Sequence, residues 1–520
     1  MNMKDKEFLL GLDVGSSSVK AALLDCATGK AAATASSPSL SAVGETELPI
    51  SSPKPGFAEQ DPETWWEHVK RSVTRLRDVV GSDILDVRAV GISYQMHGLV
   101  IVDGDKRPIR PSIIWCDSRA VGIGDRAFRQ IGCERSLGCL LNSPGNFTAS
   151  KLAWVKEHEP DVYRRVFKMM LPGDYIAMRL TGEIKTTPSG LSEAILWDFP
   201  HGAIADIVLD HFGISRDLIP DVVSTFSVQG AVTDAAAREL GIAPGAVVSY
   251  RAGDQPNNAL SLGVLRPGEI ATTAGTSGVV YGVTDRISTD PHSRVNTFVH
   301  VNHAPGAPRY GVLLCINGTG ILNSWLRKNV MTLGEVPIDY EEMNRAAARV
   351  PVGASGLLVL PYGNGAERTL ENRNIGASIH GLDLNVHTRD HVLRASQEGI
   401  VFALNYGMDI MREMGIGIEV VRAGLANMFL SPLFREAFTA TTRAVLELFD
   451  TDGAAGAARG AGIGVGVYKD FDEAFWGLER KMAVEPDVSA ADAYAEAYGR
   501  WRETLQRTIR DDHPAVERAH

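Results

Sequence analysis

Apolar runs and Gly- and Ser-rich turns predict two β-hairpins that lie half a chain apart. Residues 8–25, FLLGLDVGSSSVKAALLD, are two apolar runs joined by a GSSS turn, and residues 268–284, GEIATTAGTSGVVYGVT, repeat this plan with GTSG in the turn. Duplication of one α/β unit explains the repeat, and chance similarity of two short turns is the alternative. We therefore expect an N-terminal domain over residues 1–262 and a C-terminal domain over residues 263–520.

Helical and strand patterns alternate along the rest of the chain. Asp61 followed by Pro62 starts an amphipathic helix, and the apolar strand VRAVGISY follows it at 87–94. In the second half, helical spacing runs from Val392 to Met414, and the strand IEVVRAG comes next. Because strands alternate with helices and no long charged linker intervenes, the sequence predicts an α/β fold of two lobes.

Composition and charge exclude several classes of protein. The 520 residues are 44% hydrophobic, which is typical of chains that bury a core. They carry 52 Lys and Arg against 63 Asp and Glu, without a dense basic block, so we expect no nucleic-acid partner. No stretch is typical of a membrane span or a signal peptide, which favours a cytoplasmic protein. The five cysteines form no CxxC pair and indicate neither a disulfide framework nor a metal cluster.

Both hairpin turns are candidate phosphate sites. Backbone N–H groups and hydroxyls in a Gly-rich turn can bond phosphate oxygens. An ordinary hairpin turn is the alternative for each turn alone, but two such turns from two lobes can bind a polyphosphate from both sides, which favours a nucleotide. Asp13, at the end of the first strand, offers the carboxylate oxygens that Mg²⁺ prefers. The turn residues are Gly15, Ser16, Ser17 and Ser18 in the first hairpin and Gly275, Thr276 and Ser277 in the second.

Asp254 is a candidate catalytic base. It follows an apolar strand and precedes a predicted helix, which is a common location for catalytic carboxylates in α/β proteins. In phosphoryl transfer such an aspartate accepts the proton of the substrate hydroxyl. A helix cap is the alternative interpretation of the same position.

Two further polar clusters follow predicted buried strands. One is Met96-His97 and the other runs from Trp115 through Asp117 to Arg119. Aspartate and histidine could hydrogen-bond the hydroxyls of a polyol there, while the indole covers the apolar face of a sugar. A structural histidine is the alternative for His97.

Two late segments are rich in small residues, AGLAN at 423–427 and GAAGAA at 453–458. Small residues allow a flat base to lie against the backbone. Tight packing of a helix by Gly and Ala explains the same pattern, and both interpretations remain open at this stage.

Taken together, the motifs resemble the FGGY family of carbohydrate kinases over nearly the whole chain. The resemblance implies two actin-like (ribonuclease H-like) domains with a deep cleft, the sugar bound mainly by the first domain, and ATP with Mg²⁺ bound mainly by the second. The segments that carry it, in family order, are DVGSSSVKAALLD (13–25), EQDPETWW (59–66), GISYQMHG (91–98), IIWCDSR (113–119), GNFTASKLAWVKEHEP (145–160), LPGDYI (171–176), AGDQ (252–255), AGTSGV (274–279) and LPYGNGAERT (360–369).

The QMHG and GNFTA segments are similar to the family members that phosphorylate D-xylulose. The resemblance therefore implies ATP-dependent formation of D-xylulose 5-phosphate in pentose catabolism. The alternatives are a kinase for another ketose or polyol and, in a different class, a non-kinase actin-like ATP-binding protein. A homodimer is compatible with either class.

The resemblance also implies residue roles. Asp254 matches the catalytic base, and Asp13 with Asp254 matches the acids of the metal site. Gln255 stands where the family often has Asn, one methylene shorter, which changes the hydroxyl that the amide would meet. The implied substrate-binding residues are Met96, His97, Asp117, Arg119, Asp254 and Gln255. The implied ATP-binding residues are Gly15, Ser16, Ser17, Ser18, Gly275, Thr276, Ser277, Gly424 and Asn427.

Overall fold

Two mixed β-sheets flanked by helices form the frame of the structure, a computed structural model that describes residues 6–39, 44–332 and 338–511. The strands, in chain order, are β1 (Phe8–Val14), β2 (Val19–Asp25), β3 (Ala31–Ser37), β4 (Glu59–Gln60), β5 (Val87–Tyr94), β6 (Val100–Val102), β7 (Ser112–Ile113), β8 (Lys168–Met170), β9 (Lys185–Thr186), β10 (Trp197–Asp198), β11 (Ala203–Ile204), β12 (Asp221–Val222), β13 (Phe226–Ala231), β14 (Val247–Gly253), β15 (Glu269–Ala274), β16 (Gly278–Thr284), β17 (Asn296–Val299), β18 (Tyr310–Ile316), β19 (Leu358–Tyr362), β20 (Gly376–His380), β21 (Val420–Gly424), β22 (Val445–Phe449) and β23 (Arg480–Val484).

The helices surround these sheets and connect their strands. They are α1 (Pro62–Val80), α2 (Val121–Ile131), α3 (Cys133–Leu140), α4 (Thr148–His158), α5 (Pro160–Tyr163), α6 (Pro172–Thr181), α7 (Pro188–Glu193), α8 (Asp206–Phe212), α9 (Asp234–Leu240), α10 (Asp254–Ser261), α11 (Gly320–Leu326), α12 (Tyr340–Ala348), α13 (Arg389–Glu413), α14 (Pro432–Thr442), α15 (Gly453–Gly464), α16 (Phe471–Phe475) and α17 (Val488–Asp511). Within the described ranges, none of these helices has the length and apolar character needed to cross a bilayer.

The same strand arrangement occurs twice, as a duplicated unit would require. The first sheet has the order β13-β14-β5-β1-β2-β3, and the second has β17-β18-β16-β15-β21-β22-β23. In each sheet, the first strand of a hairpin pairs in parallel with a strand from later in the chain. A second parallel strand and an antiparallel edge strand follow it. The topology therefore supports duplication, while the limits 1–262 and 263–520 stay a prediction.

Local signals in the sequence produce the predicted elements. Both hairpins form as antiparallel pairs, β1 with β2 and β15 with β16. Asp61 caps α1 by accepting a hydrogen bond from the Glu63 N–H at 3.0 Å, and Pro62 occupies the first turn, where its missing N–H costs nothing. One face of α1 buries Trp65, Trp66 and further apolar residues against the first sheet.

Small residues bring α15 into close contact with the first sheet, although this helix lies far along the chain from it. A Cβ atom placed on Gly11 or Gly91 would overlap the carbonyl oxygens of Ala454 and Ala457. The glycines of the helix itself are equally tight, since Gly460 lies against the ring of Tyr250. Helix packing is therefore the correct interpretation of the 453–458 segment. In space, α15 belongs with the sheet on the N-terminal side of the predicted domain boundary.

Candidate active site

Three parallel strands bring the main candidate residues to one sheet edge. The pairing β1–β5 places Asp13 beside Ser93, and the pairing β14–β5 places Gly253 beside Tyr94. Parallel strands end at the same edge, so the segments after β1, β5 and β14 lie together there. This placement confirms the predicted strand-end positions of Asp13, His97 and Asp254.

The half-buried Asp13 carboxylate lies between a hydroxyl and a helix N-terminus. Ser93 Oγ donates a hydrogen bond to its Oδ1 at 2.7 Å, and Gly453, the first residue of α15, lies against its Oδ2. Burial raises the pKa of Asp13, and the nearby charge of Asp452 adds to the rise. Because a Cβ atom at Gly453 would overlap this carboxylate, only glycine leaves Asp13 in its observed position.

Asp254 begins α10 at the same edge and has the properties of a general base. Burial raises the pKa of Asp254 to about 7, and the charge of Asp13 contributes to the rise, whereas hydrogen bonds from Gln255 oppose it. A carboxylate with a pKa near the working pH is well suited to accept a substrate proton. Two carboxylates close enough to repel each other also supply the oxygen donors that Mg²⁺ prefers. The donor chemistry therefore fits a magnesium ion, and its ligands stay a prediction.

His97 presents a neutral hydrogen-bond acceptor where the sequence predicts sugar binding. Its Nδ1 lies 2.9 Å from the carbonyl oxygen of Glu193. A carbonyl only accepts, so Nδ1 carries the proton and Nε2 keeps its lone pair. Burial lowers the pKa of His97 to about 3, so the ring stays uncharged. The rings of Phe147 and Phe298 enclose it at centroid distances of 4.6 and 5.5 Å, and Met96 is buried nearby against Gly253.

Replacing His97 by alanine is expected to weaken use of the sugar more than use of ATP. A buried sugar hydroxyl that loses its acceptor costs about 1–3 kcal/mol, which corresponds to roughly fivefold to 150-fold in affinity. Steady-state kinetics with each substrate varied in turn measures both KM values. A rise in KM for ATP with no rise in KM for sugar would place His97 on the wrong side of the site.

Asp117 and Arg119 form a buried ion pair with each other. Arg119 donates to both carboxylate oxygens of Asp117 and to Glu59 Oε1, and its guanidinium lies 3.8 Å from the ring centroid of Phe57. Ala58 N–H donates to the same carboxylate at 2.6 Å. The cluster follows a buried strand, as predicted, but this strand, β7, has only two residues and pairs with β4 outside the main sheet. A direct contact of either side chain with sugar stays a prediction.

The first hydroxyl turn is held by its backbone. Gly15 N–H donates to the Ser18 carbonyl at 3.0 Å, and the Gln60 side-chain amide donates to the Ser16 carbonyl at 2.7 Å. Trp115, 47% exposed, donates from Nε1 to the Ser16 hydroxyl at 3.3 Å. The indole therefore lies beside this turn. Phosphate contacts of the four predicted residues, which include Ser17, stay a prediction.

The second hydroxyl turn opens onto a cavity of about 470 Å³. The Gly275 carbonyl accepts hydrogen bonds from the Thr319 hydroxyl and the Gly320 N–H, both at 2.7 Å. In the same turn, Thr276 is exposed and Ser277 is half-buried. Gly424 ends β21, where its carbonyl accepts the Ala426 N–H at 2.8 Å. The polar lining residues of the cavity are Thr276, Asn323, Ser324, Tyr340, Asn344, Asn427 and Ser431.

Sequence reasoning missed several of these cavity residues. The segment NGTG at 317–320 follows β18 and is a third Gly- and hydroxyl-rich turn, so its composition could have indicated them. Asn323 lies on the helix that this turn begins, whereas Asn344 lies on α12 and comes from an unrelated part of the sequence. Only tertiary packing brings α12 to the cavity.

Residues around His97 were also missed. Arg368, from the GAERT motif, donates to the Ser143 carbonyl at 3.1 Å, and its guanidinium lies 4.9 Å from the Phe147 ring centroid, so it joins the two halves of the chain. The carboxyl of Glu193 lies against Gly253, and its oxygens accept no well-formed hydrogen bond among the described residues. Arg368 and Phe147 both lie in the family motifs quoted above, so these motifs could have indicated them as site residues.

Family models match both halves of the chain. Residues 8–261 match the N-terminal domain of the FGGY family of carbohydrate kinases, and residues 270–456 match its C-terminal domain. The chain therefore belongs to this family and is a carbohydrate kinase with two actin-like domains. FGGY kinases use ATP, which agrees with the two hydroxyl turns, and the non-kinase alternative is excluded.

Individual relatives have names that state a particular sugar substrate. The chain is 30% identical over 502 residues to the xylulose kinase of Escherichia coli, covering 96% of this chain and 98% of that one. The crystal structure of xylulose kinase from Rhodospirillum rubrum superimposes with a TM-score of 0.86 at 25% identity, covering 98% of this chain and all of that one. A gluconate kinase structure from Lactobacillus acidophilus gives a TM-score of 0.87 at 21% identity over 97% and 99% of the two chains, a likeness of fold alone.

Proposed function

We propose that this kinase phosphorylates D-xylulose at its terminal primary hydroxyl, producing D-xylulose 5-phosphate and ADP. The similarity to xylulose kinases over nearly the whole chain supports the choice of sugar. The observation that carries the proposal is the sheet edge itself, where a base with a pKa near 7 and a neutral histidine acceptor lie beside a hydroxyl turn. This arrangement provides for one reacting hydroxyl and for the binding of its neighbours.

In the proposed reaction, Asp254 takes the proton of the attacking hydroxyl. The sugar oxygen forms a bond to the γ-phosphorus as the bond from that phosphorus to the β–γ bridging oxygen breaks, and ADP keeps the electron pair. His97 Nε2 accepts a hydrogen bond from another sugar hydroxyl and thereby orients the substrate. Backbone N–H groups and hydroxyls of the turns at Ser16 and Thr276 stabilise charge on the phosphate oxygens.

Asp13 and Asp254 would hold the magnesium ion, because they are the paired carboxylates at this edge. When bound, such an ion offsets negative charge on the phosphates. The cavity lined by Asn323, Asn344 and Asn427 has amide groups suited to hydrogen-bond the adenosine. We propose it as the nucleotide pocket, which places the adenosine on the second domain.

A kinase for a different ketose or polyol is the second candidate. The observation that favours it is Gln255, whose side chain hydrogen-bonds the Asp254 carboxylate. A Gln255 amide that is bonded to Asp254 can reach a different set of sugar hydroxyls from an amide that bonds the sugar directly. The choice among ketoses therefore depends on a comparison of substrates.

A coupled assay of ADP release separates the candidates. We expect D-xylulose to stimulate turnover well above the sugar-free rate and to give the highest kcat/KM among D-xylulose, D-ribulose, L-xylulose, glycerol and gluconate. The sugar-free rate of ATP hydrolysis is the control in every case. A higher kcat/KM for another sugar would reassign the substrate within the family.

A further inference from the structure

Lys151 is a fully buried lysine that links two segments of the proposed sugar site. It projects from α4, and its Nζ donates to the His97 carbonyl at 2.8 Å and to the Ile114 carbonyl at 3.0 Å. The first carbonyl belongs to the segment after β5, and the second begins the segment that contains Trp115 and Asp117. One ammonium group therefore connects the two segments to the same helix.

This burial is costly, since the ammonium group is removed from water. Among the described residues, no carboxylate lies within salt-bridge distance of Lys151 Nζ, although Asp117 and Glu193 are near enough to favour its charge. Burial lowers the pKa of Lys151 to about 7. An unpaired buried charge destabilises a fold, so its presence beside a binding site suggests a role other than stability.

The conformation of His97 provides such a role. Its backbone φ is +61°, in the left-handed region that a residue with a side chain rarely adopts. Strained backbone of this kind persists only where surrounding contacts hold it. Lys151 holds the carbonyl of His97, while the Glu193 carbonyl holds its ring at Nδ1. The two bonds together fix the direction of Nε2.

We propose that Lys151 is a positioning residue for sugar binding, which keeps His97 in its left-handed conformation so that Nε2 faces the substrate. The proposal rests on the proposed function insofar as His97 binds the sugar. It assigns Lys151 no contact with substrate or ATP, so its loss should change the KM for sugar and leave nucleotide binding intact.

The test compares Lys151→Met with a matched variant on the same helix. Lys156 also lies on α4, and its Nζ also donates to two backbone carbonyls, those of Phe212 and Gly213, but away from His97. We expect Lys151→Met to raise the KM for sugar about tenfold or more, with the KM for ATP and the sugar-free ATP hydrolysis rate within twofold of wild type. Lys156→Met should leave both KM values within twofold, whatever its effect on Tm.

Lys151→Gln keeps an uncharged NH2 donor group and serves where the methionine variant fails to fold. We expect its KM for sugar to fall between those of wild type and Lys151→Met. If Lys151→Met does not fold, we expect the KM for sugar of Lys151→Gln to be severalfold above that of wild type. A KM for sugar within twofold of wild type in the folded variants, or an equal rise in Lys156→Met, would overturn the proposal. All assays use the best sugar of the wild-type panel, so failure with D-xylulose in the wild type counts against the substrate and not against Lys151.

Discussion

Replacing Asp254 by alanine or asparagine lowers kcat by about 10²–10⁴-fold, the contribution typical of a general base. The expected loss follows from its position at the end of β14 and from the raised pKa of Asp254, which is about 7 through burial and the charge of Asp13. Steady-state rates of ADP release measure the effect. Because His97 and the two hydroxyl turns would supply most of the other contacts, calorimetry should still detect sugar and ATP.

The asparagine variant is the sharper form of this experiment. Asparagine preserves the size of the side chain and its bond with Gln255 but cannot accept a proton at neutral pH. Activity of Asp254→Asn within about threefold of wild type would mean that a different group takes the proton. Loss of sugar binding in both variants would instead make Asp254 a binding residue.

Replacing Gly453 by alanine lowers kcat by about 10²-fold, since displacement of a catalytic group by about 1 Å has this effect. A Cβ atom at Gly453 would overlap the Asp13 carboxylate and lie 2.8 Å from its Cγ, so we expect the carboxylate that accepts the Ser93 hydrogen bond to be displaced. Activity measured over a range of Mg²⁺ concentrations should show both a lower kcat and a higher requirement for the ion.

Gly464→Ala is the matched control for this prediction. Gly464 ends the same helix, and a Cβ atom there would overlap the Ser249 carbonyl on the sheet without touching Asp13. We expect this variant to lower Tm while kcat stays within threefold of wild type. An equal loss of kcat in both variants would attribute the effect to helix packing, and unchanged kcat in Gly453→Ala would remove Asp13 from the catalytic machinery.

Elements with strong local signals could be predicted from the sequence. The two hairpins, the capped helix at Pro62 and the strand 87–94 form where the apolar spacing and turn residues indicated. The cluster around Asp117 shows the limit of this approach. The apolar run before it forms a buried strand, as predicted, but this strand has only two residues and lies outside the main sheet, and the Asp117 carboxylate pairs with Arg119. An apolar run records burial and does not specify the sheet that receives it.

The sequence by itself determined the strand-end positions of Asp13, His97 and Asp254 and the chemistry of the two turns, because these depend on spacing within a few residues. Tertiary structure alone decided which atoms carry protons and what holds them. The tautomer of His97 depends on Glu193, its backbone on Lys151, and the place of Asp13 on Gly453. These partners lie tens to hundreds of residues away along the chain. Burial, which sets the pKa of Asp254, likewise exists only once both sheets and α15 have packed together.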